Sequence, residues 1–288
     1  MTRELPKHLA EANLTYVSHS QLEKPACLRI FEYLYLKDER RDIPVGVPAT
    51  AGGAAHDAIQ SVICDGLDID DAIATACKRI QEHQPISELD DLKRIQYIED
   101  VEHIVRNGVE ELSELGGLVF TAEGLVFTAE ERISLQHPKL AQELMGYVDL
   151  TGDRILVEIK TKWNPLGQPL KDGSRNFRKV KLPTRPDASH IRQVAIYWAA
   201  TGKMPYLIYI TTEGAVTFSH ENCDLLTAES LSHHFNQILH NAVVWENLLS
   251  ISTDPQVLKY WVQPNWEDFR WRFMPDDYLQ QAKELFKI

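Results

Sequence analysis

The segment Met145–Lys160 constrains this chain most. It reads Met-Gly-Tyr-Val-Asp-Leu, then Thr-Gly-Asp-Arg, then Ile-Leu-Val-Glu-Ile-Lys, two alternating runs around a turn, which is the pattern of a β-hairpin. A four-residue loop at Thr151 to Arg154 pairs Leu150 with Ile155 and Asp149 with Leu156. In that register Val148, Leu150, Ile155, Val157 and Ile159 share an apolar face, and Asp149, Glu158 and Lys160 share the other. Asp149 and Glu158 become diagonal neighbours, roughly 7–8 Å apart at the backbone. Two carboxylates at that spacing can share a divalent cation, and hard oxygen ligands suit Mg²⁺ or Mn²⁺. Lys160 beside them can orient a water and stabilise a charged transition state. The same pattern also describes a surface hairpin with an ordinary Glu–Lys pair, so other pieces must decide.

The flanking sequence supplies them. Ser18-His19-Ser20-Gln21-Leu22 predicts a helix start leading into the apolar stretch Leu28 to Leu36. A loop with Pro44, Gly46 and Pro48 precedes a second helix over Ala51 to Cys64, opened by Gly52-Gly53 and carrying His56. Ser87 to Leu115 predicts a long amphipathic helix ended by Gly116-Gly117, with Leu89, Leu92, Ile95, Ile98, Val101, Ile104 and Val105 as its stripe. Gly117 to Glu123 reads GLVFTAE, and Gly124 to Glu130 repeats it. Seven is odd, so the copies cannot occupy equivalent positions in one continuous strand; a hairpin or bulge around Glu123-Gly124 is expected. After Lys160 an irregular basic stretch runs to Pro186. Asp187 then caps a helix through Ala200, closed by Gly202. Strands over Met204 to Thr211 and Ala215 to Ser219 follow, joined through Glu213-Gly214, and then helices over Leu225 to Leu249 and Asp276 to Phe286. The order of elements predicts an α/β fold on a mixed central sheet flanked by helices, with helical N- and C-terminal additions. No linker is marked. One domain is expected, with an approximate core over residues 50–220 and a helical extension over 221–288.

His56, early on its helix, can add an imidazole to the carboxylates. Gln193 and Tyr197 are four apart and share a helix face. With these pieces the chain resembles the RecB-like branch of the PD-(D/E)XK nuclease superfamily, exonuclease-type with a Q-x-x-x-Y motif. The resemblance is carried, in order, by Gly53 to His56 (G-x-x-H), Gly146 to Asp149 (G-x-x-D), Glu158 to Lys160 (E-x-K) and Gln193 to Tyr197 (Q-x-x-x-Y). It covers roughly residues 14–211 and implies a restriction-endonuclease-like core. It implies too that His56, Asp149 and Glu158, helped by the main-chain carbonyl of Ile159, hold one or two Mg²⁺ or Mn²⁺ ions. Lys160 would be the catalytic lysine, and Gln193 and Tyr197 would position a DNA strand. Several relatives hold an iron–sulfur cluster on one early and three late cysteines. Here Cys27 matches the early position but only Cys223 lies beyond the motifs, so no such cluster is expected.

Composition sets the outer bounds. The 288 residues are 44% hydrophobic and 25% charged, ordinary for a globular chain, and no apolar run approaches the ~20 residues of a membrane helix. No signal region opens the sequence, and Cys27, Cys64, Cys77 and Cys223 form no C-x-x-C pair, so a cytoplasmic setting (host cytoplasm if phage-encoded) is expected. The net charge of −12 conceals a local reversal. Lys160 to Arg192 holds nine basic and two acidic residues, +7, leaving −19 elsewhere. Arg175, Arg178, Lys179 and Lys181 are the expected DNA-backbone contacts, and Trp163 or Phe177 can stack on bases or pack inward.

The leading expectation is a divalent-metal-dependent deoxyribonuclease, an exonuclease acting on DNA ends in replication, recombination or phage DNA processing, alone, as an oligomer or within a larger complex. The alternatives are a catalytically silent DNA-binding or assembly module on the same fold, and an acidic mimic of nucleic acid. The intact Asp149, Glu158, Lys160 set speaks against the first, and the basic stretch against the second.

Overall fold

The computed structural model describes residues 3–119, 127–172 and 174–287. In chain order the helices and strands are α1 (Lys7–Glu11), β1 (Tyr16–Ser18), α2 (His19–Leu22), α3 (Ala26–Arg29), α4 (Val47–Asp65), α5 (Ile69–Gln81), α6 (Glu88–Val119), β2 (Thr128–Leu135), β3 (Glu143–Thr151), β4 (Ile155–Thr161), α7 (Ala188–Thr201), β5 (Met204–Thr211), β6 (Gly214–Phe218), α8 (Ala228–Ile251), α9 (Pro255–Leu258) and α10 (Asp276–Leu285). A π-helical turn, Ile30–Tyr35, continues α3 and is followed by a 3₁₀ segment, Lys37–Asp42.

The six strands form one mixed sheet in the order β1-β3-β4-β5-β6, with β2 also on β3. β4 and β5 are parallel, as are β1 and β3; the other pairs are antiparallel. Each face of the sheet buries an apolar layer. One holds α4, α5 and α6 against Leu150, Val157, Ile159 and Ile208. The other holds the N-terminal elements, α7, α8 and α10 against Leu144, Leu156 and Tyr209. This is the mixed sheet flanked by helices that the element order predicts. Among the described residues no helix is long and apolar enough to cross a membrane.

Local chemistry explains the elements that frame the site. The side chain of Ser18 accepts from the Gln21 N–H while the Gln21 side chain accepts from the Ser18 N–H, a reciprocal capping box that starts α2 directly at the end of β1. Asp187 caps α7 through the Ser189 N–H, and Gly202 ends it at φ +73°, where a side chain would be strained. Asp90, from the start of α6, accepts from the Val47 N–H and so caps α4 in place of a local residue.

Several boundaries correct the sequence reading. α4 begins at Val47, with Pro48 in its first turn, so Gly52 and Gly53 lie inside the helix, where Gly52 faces Thr161 of β4. α6 runs through Gly116 and Gly117 to Val119. At 32 residues it is about 48 Å long against about 30 Å for nine-residue β3. Its first turns therefore overhang the sheet, and Leu89, Leu92 and Ile95 are exposed while Val101, Ile104 and Val105 are buried. The expected turn around Glu123-Gly124 lies outside the described residues. The flanks of the duplication differ all the same: Gly117 to Val119 close a helix, whereas Thr128 to Glu130, from the second copy, open a strand.

The hairpin is displaced by two residues. Leu150 pairs with Val157 and Thr151 with Leu156, not Leu150 with Ile155. A shift of two keeps each side chain on its face, which is why the alternation could not detect it. The single apolar face is also broken. Val148 packs in one layer and Leu150 in the other, and the interruption falls at Asp149.

Candidate active site

That interruption is where the site forms. β2 covers one edge of β3 from Leu144 to Thr151, so β1 and β4 must share the opposite edge. β1 takes Glu143 to Met145 and β4 takes only Leu150 and Thr151. Between them Gly146 to Asp149 has no strand partner on that edge among the described residues, and side chains take over the ladder's hydrogen bonds. The Tyr197 hydroxyl donates to the Tyr147 carbonyl at 2.9 Å, and Asp149 Oδ2 accepts from the Ile159 N–H at 2.6 Å. Gly146 is required here. A Cβ would stand 2.5 Å from Cε1 of Tyr197, so the tyrosine ring lies where a side chain would be.

Glu158 points into the gap from β4 and is 3% exposed; Asp149 is 8% exposed. Lys160 Nζ donates to Glu158 Oε1 at 2.6 Å and to Gln193 Oε1 at 3.0 Å. The Gln193 amide donates in turn to Glu158 Oε1 at 2.6 Å and to the Tyr197 hydroxyl at 2.8 Å. Gln193 and Tyr197, one turn apart on α7, thus tie Glu158 and Lys160 to the backbone of β3. The other Glu158 oxygen, Oε2, is buried and has no hydrogen-bond partner among the described residues. Burial lifts the Glu158 carboxyl to about 7, with the Asp149 charge adding to the rise and Lys160 opposing it. Burial lifts Asp149 to about 6, against Lys160 and the Ile159 N–H. Burial also pushes the Tyr197 hydroxyl far up, which keeps it a donor.

His56 approaches from the opposite layer, on α4. Its Nδ1 stands 3.8 Å from Asp149 Oδ1, beyond hydrogen-bond range, and burial lowers its pKa, keeping the ring neutral. One turn later Gln60 donates to the Asp149 main-chain carbonyl at 3.0 Å and to Glu130 Oε1 at 3.1 Å. Glu130, at φ +51°, thereby brings a third carboxylate to the rim. Among the described residues no three His, Cys, Asp or Glu side chains form a pre-assembled metal centre. The ammonium of Lys160 supplies positive charge at the carboxylates instead. The donor chemistry nevertheless suits a hard divalent cation: two desolvated carboxylates, one with an orphaned oxygen, and a neutral imidazole.

Two clefts meet at Lys160. One, of about 310 Å³, is lined by His56, Lys162 and His190. The other, of about 530 Å³, reaches past Gln193 and Tyr197 to Tyr16 and Tyr33. Gln60, Glu130, His190, Tyr16 and Tyr33 are absent from the sequence-derived set. Gln60 alone carried a signal, its place one turn after His56. His190 donates to or accepts from the Tyr209 hydroxyl at 2.8 Å, and burial beside Lys160 lowers it to about 4.

The basic stretch divides. Arg178, Lys179 and Lys181 are exposed, Lys179 bridging to Glu213, and Arg175 donates to the Gly167 carbonyl. Arg192, counted among the nine basic residues of the stretch, is committed to Glu23 through two hydrogen bonds of 2.7 and 2.8 Å. Trp163 packs against Tyr97, ring centroids 4.6 Å apart, and faces inward. Cys27 is buried, its sulfur accepting from the Asn265 N–H, and burial raises its thiol pKa.

No family model matches the chain, and neither does any curated protein. Two solved structures are similar at low identity. A candidate exonuclease from Eubacterium rectale is 12% identical, with 85% of this chain and 87% of that one covered at a TM-score of 0.45. The protein SSO0001 is 14% identical, with 75% and 83% covered at a TM-score of 0.26. At these values neither likeness bears on what the site does.

Proposed function

We propose that the chain is a divalent-metal-dependent nuclease that hydrolyses DNA phosphodiester bonds. The observation that carries this reading is the buried pair Asp149 and Glu158, with Glu158 Oε2 unpartnered among the described residues beside Lys160. A fold does not keep an orphaned carboxylate oxygen in its interior for stability. Asp149, Glu158 and His56, with the Ile159 carbonyl, would hold one or two Mg²⁺ or Mn²⁺ ions, which when bound neutralise charge on a phosphoryl group and lower the pKa of water. Lys160 Nζ, at the end of a flexible chain but steered by Gln193, orients the attacking water and balances the charge that builds on the phosphate. Tyr197 and Gln193 hold Glu158 and β3 in register, so the reacting groups need little reorganisation. The exposed cations Arg178, Lys179 and Lys181 stand on the stretch leaving β4 and meet the DNA backbone there.

The test is incubation of the purified protein with end-labelled single- and double-stranded DNA, with and without Mn²⁺. Wild type should cut only with the metal, and Lys160→Ala should fold normally yet lose at least about 100-fold in rate. Undiminished cleavage by Lys160→Ala overturns the assignment.

A further inference from the structure

Glu130 of β2 holds φ at +51°, a left-handed conformation that glycine adopts freely and a glutamate does not. Its place in the sheet shows what that conformation does. Ala129 pairs with Leu150 and Glu131 with Val148, which sets Glu130 opposite Asp149. Ala129 and Leu150 pack in the layer of α4 to α6, whereas Val148 and, further along β2, Ile133 pack in the other. Side chains an even number of residues apart share a face in a regular strand. Both strands therefore reverse at one level, β3 at Asp149 and β2 at Glu130. A glycine at position 130 would make the same reversal without the steric cost, so the reversal does not explain the glutamate.

The side chain supplies the reason. Gln60 Nε2 donates both to Glu130 Oε1, at 3.1 Å, and to the Asp149 main-chain carbonyl, at 3.0 Å, so the Glu130 carboxylate stands beside the backbone of Asp149. Burial raises the Asp149 carboxyl to about 6, and the Glu130 charge adds to that rise against Lys160 and the Ile159 N–H. Three carboxylates thus gather at one gap. The deepest, Glu158, is 3% exposed and has an oxygen with no partner among the described residues. Backbone strain and crowded negative charge at one place are costs that a bound hard cation offsets. We propose that Glu130 is a third acidic residue of the cation site, joining Asp149 and Glu158 from β2 with its own carboxylate. Asp149 and Glu158 are buried and held by packing, whereas Glu130 is exposed on a flexible stem, so it is the member of the set that can close on an ion. The inference deepens the nuclease reading and rests on it for the purpose of the ion, although binding of the ion is measured without DNA.

The experiment follows free Mn²⁺ by electron paramagnetic resonance as the ion is titrated into purified protein without DNA, beside a urea melt of each metal-free variant. Glu130→Gln, which keeps the length of the side chain, should weaken Mn²⁺ binding at least about tenfold. Glu130→Gly should weaken it as much while its urea midpoint stays at or above that of wild type, because the strain is relieved. Glu131→Gln removes an equal charge one residue along β2, and its Mn²⁺ affinity should stay within about twofold of wild type. Unchanged affinity in Glu130→Gln overturns the proposal, and a lower urea midpoint in Glu130→Gly beside that result would make Glu130 a structural partner of Gln60. An equal loss in Glu131→Gln also overturns it, by reducing the effect to long-range charge. Should Glu130→Gly fail to fold, Glu130→Gln decides alone. Wild-type DNA cleavage with Mn²⁺ reports separately. Cleavage with Mn²⁺ binding indifferent to Glu130 sinks this assignment and leaves the nuclease standing, whereas Glu130-dependent binding without cleavage does the reverse. A wild type that binds no Mn²⁺ sinks both.

Discussion

Two acid–base pairs meet α7 at its adjacent residues Arg192 and Gln193, and they have opposite characters. Glu23 meets Arg192 through two hydrogen bonds and has His19 3.5 Å away. Burial alone would raise Glu23, but the neighbouring His19 ring and the hydrogen bonds from Arg192 outweigh it and hold the carboxyl below the usual range. Glu158 meets Lys160, beside Gln193, through a single oxygen, leaves the other unpartnered, and is raised to about 7. The first pair is saturated and joins α2 to α7. The second is left short of partners where the ladder opens beside Gly146 to Asp149. Partner count, more than charge or depth, separates a strut from a site.

Exchanging each glutamate for its amide should break the symmetry most visibly. Glu158→Gln is expected to lower DNA cleavage by roughly 10²–10⁴-fold while leaving metal-free stability unchanged or higher, because it removes a buried charge. Glu23→Gln should cost roughly 1–3 kcal/mol of stability and change cleavage less than about tenfold. Initial rates and urea melts on both variants decide it. Loss of stability by both would erase the distinction.

Gly146→Ala tests whether the gap itself belongs to the site. The new Cβ must displace the Tyr197 ring, with an expected cost of roughly 1–3 kcal/mol and a fall in turnover that Tyr197→Phe should reproduce in part. A melt and a rate equal to wild type would show that the close approach is incidental.

The pH dependence should run in opposite senses. Glu158 binds its proton more tightly folded than unfolded, so metal-free stability should fall as pH rises from 4.5 through about 7, by at most about 1.4 kcal/mol per pH unit. Glu23 binds its proton less tightly when folded, so its contribution is present above 4.5 and is lost as pH falls below it. Glu158→Gln should flatten only the upper limb of the stability curve and Glu23→Gln only the lower. Limbs that respond to the wrong variant would reverse the assignment.

The smallest effect separates the cations of the stretch after β4 from Arg192. Replacing Arg175, Arg178 and Lys179 by alanine should reduce the salt slope of DNA binding by roughly 0.7–0.9 for each phosphate no longer neutralised, whereas Arg192→Ala should leave the slope alone and lower stability. A slope insensitive to the triple variant would place the DNA elsewhere.

What the sequence determined by itself is local. Asp187 and Gly202 bracket α7, Glu213-Gly214 turns β5 into β6, and the alternation of Val148 to Lys160 shows a hairpin with its charges grouped. Each depends on neighbours a few residues away, where caps, turns and period-two patterning act. No helix is expected above between Cys64 and Ser87, yet α5 stands there with a plain local signature: Asp68 caps it and Ile69, Ala72, Ile73, Ala76 and Ile80 form its stripe. The candidate set His56, Asp149, Glu158, Lys160, Gln193 and Tyr197 was legible as residue types in order, and the structure brings these side chains to one gap in the sheet.

Only the tertiary structure decided the rest. A two-residue slip leaves every side chain on its face, so the alternation could not choose between the expected register and the observed one. The open edge at Gly146 to Asp149 exists because β1, from the far N-terminal part of the chain, takes part of the edge that β4 would otherwise occupy. The commitment of Arg192 to Glu23, the capping of α4 by Asp90 and the exposure of Tyr16 and Tyr147 likewise depend on groups distant in sequence. Burial and partner count, which make one glutamate a strut and another a reactive group, are properties of the packed neighbourhood, and no window along the chain contains that neighbourhood.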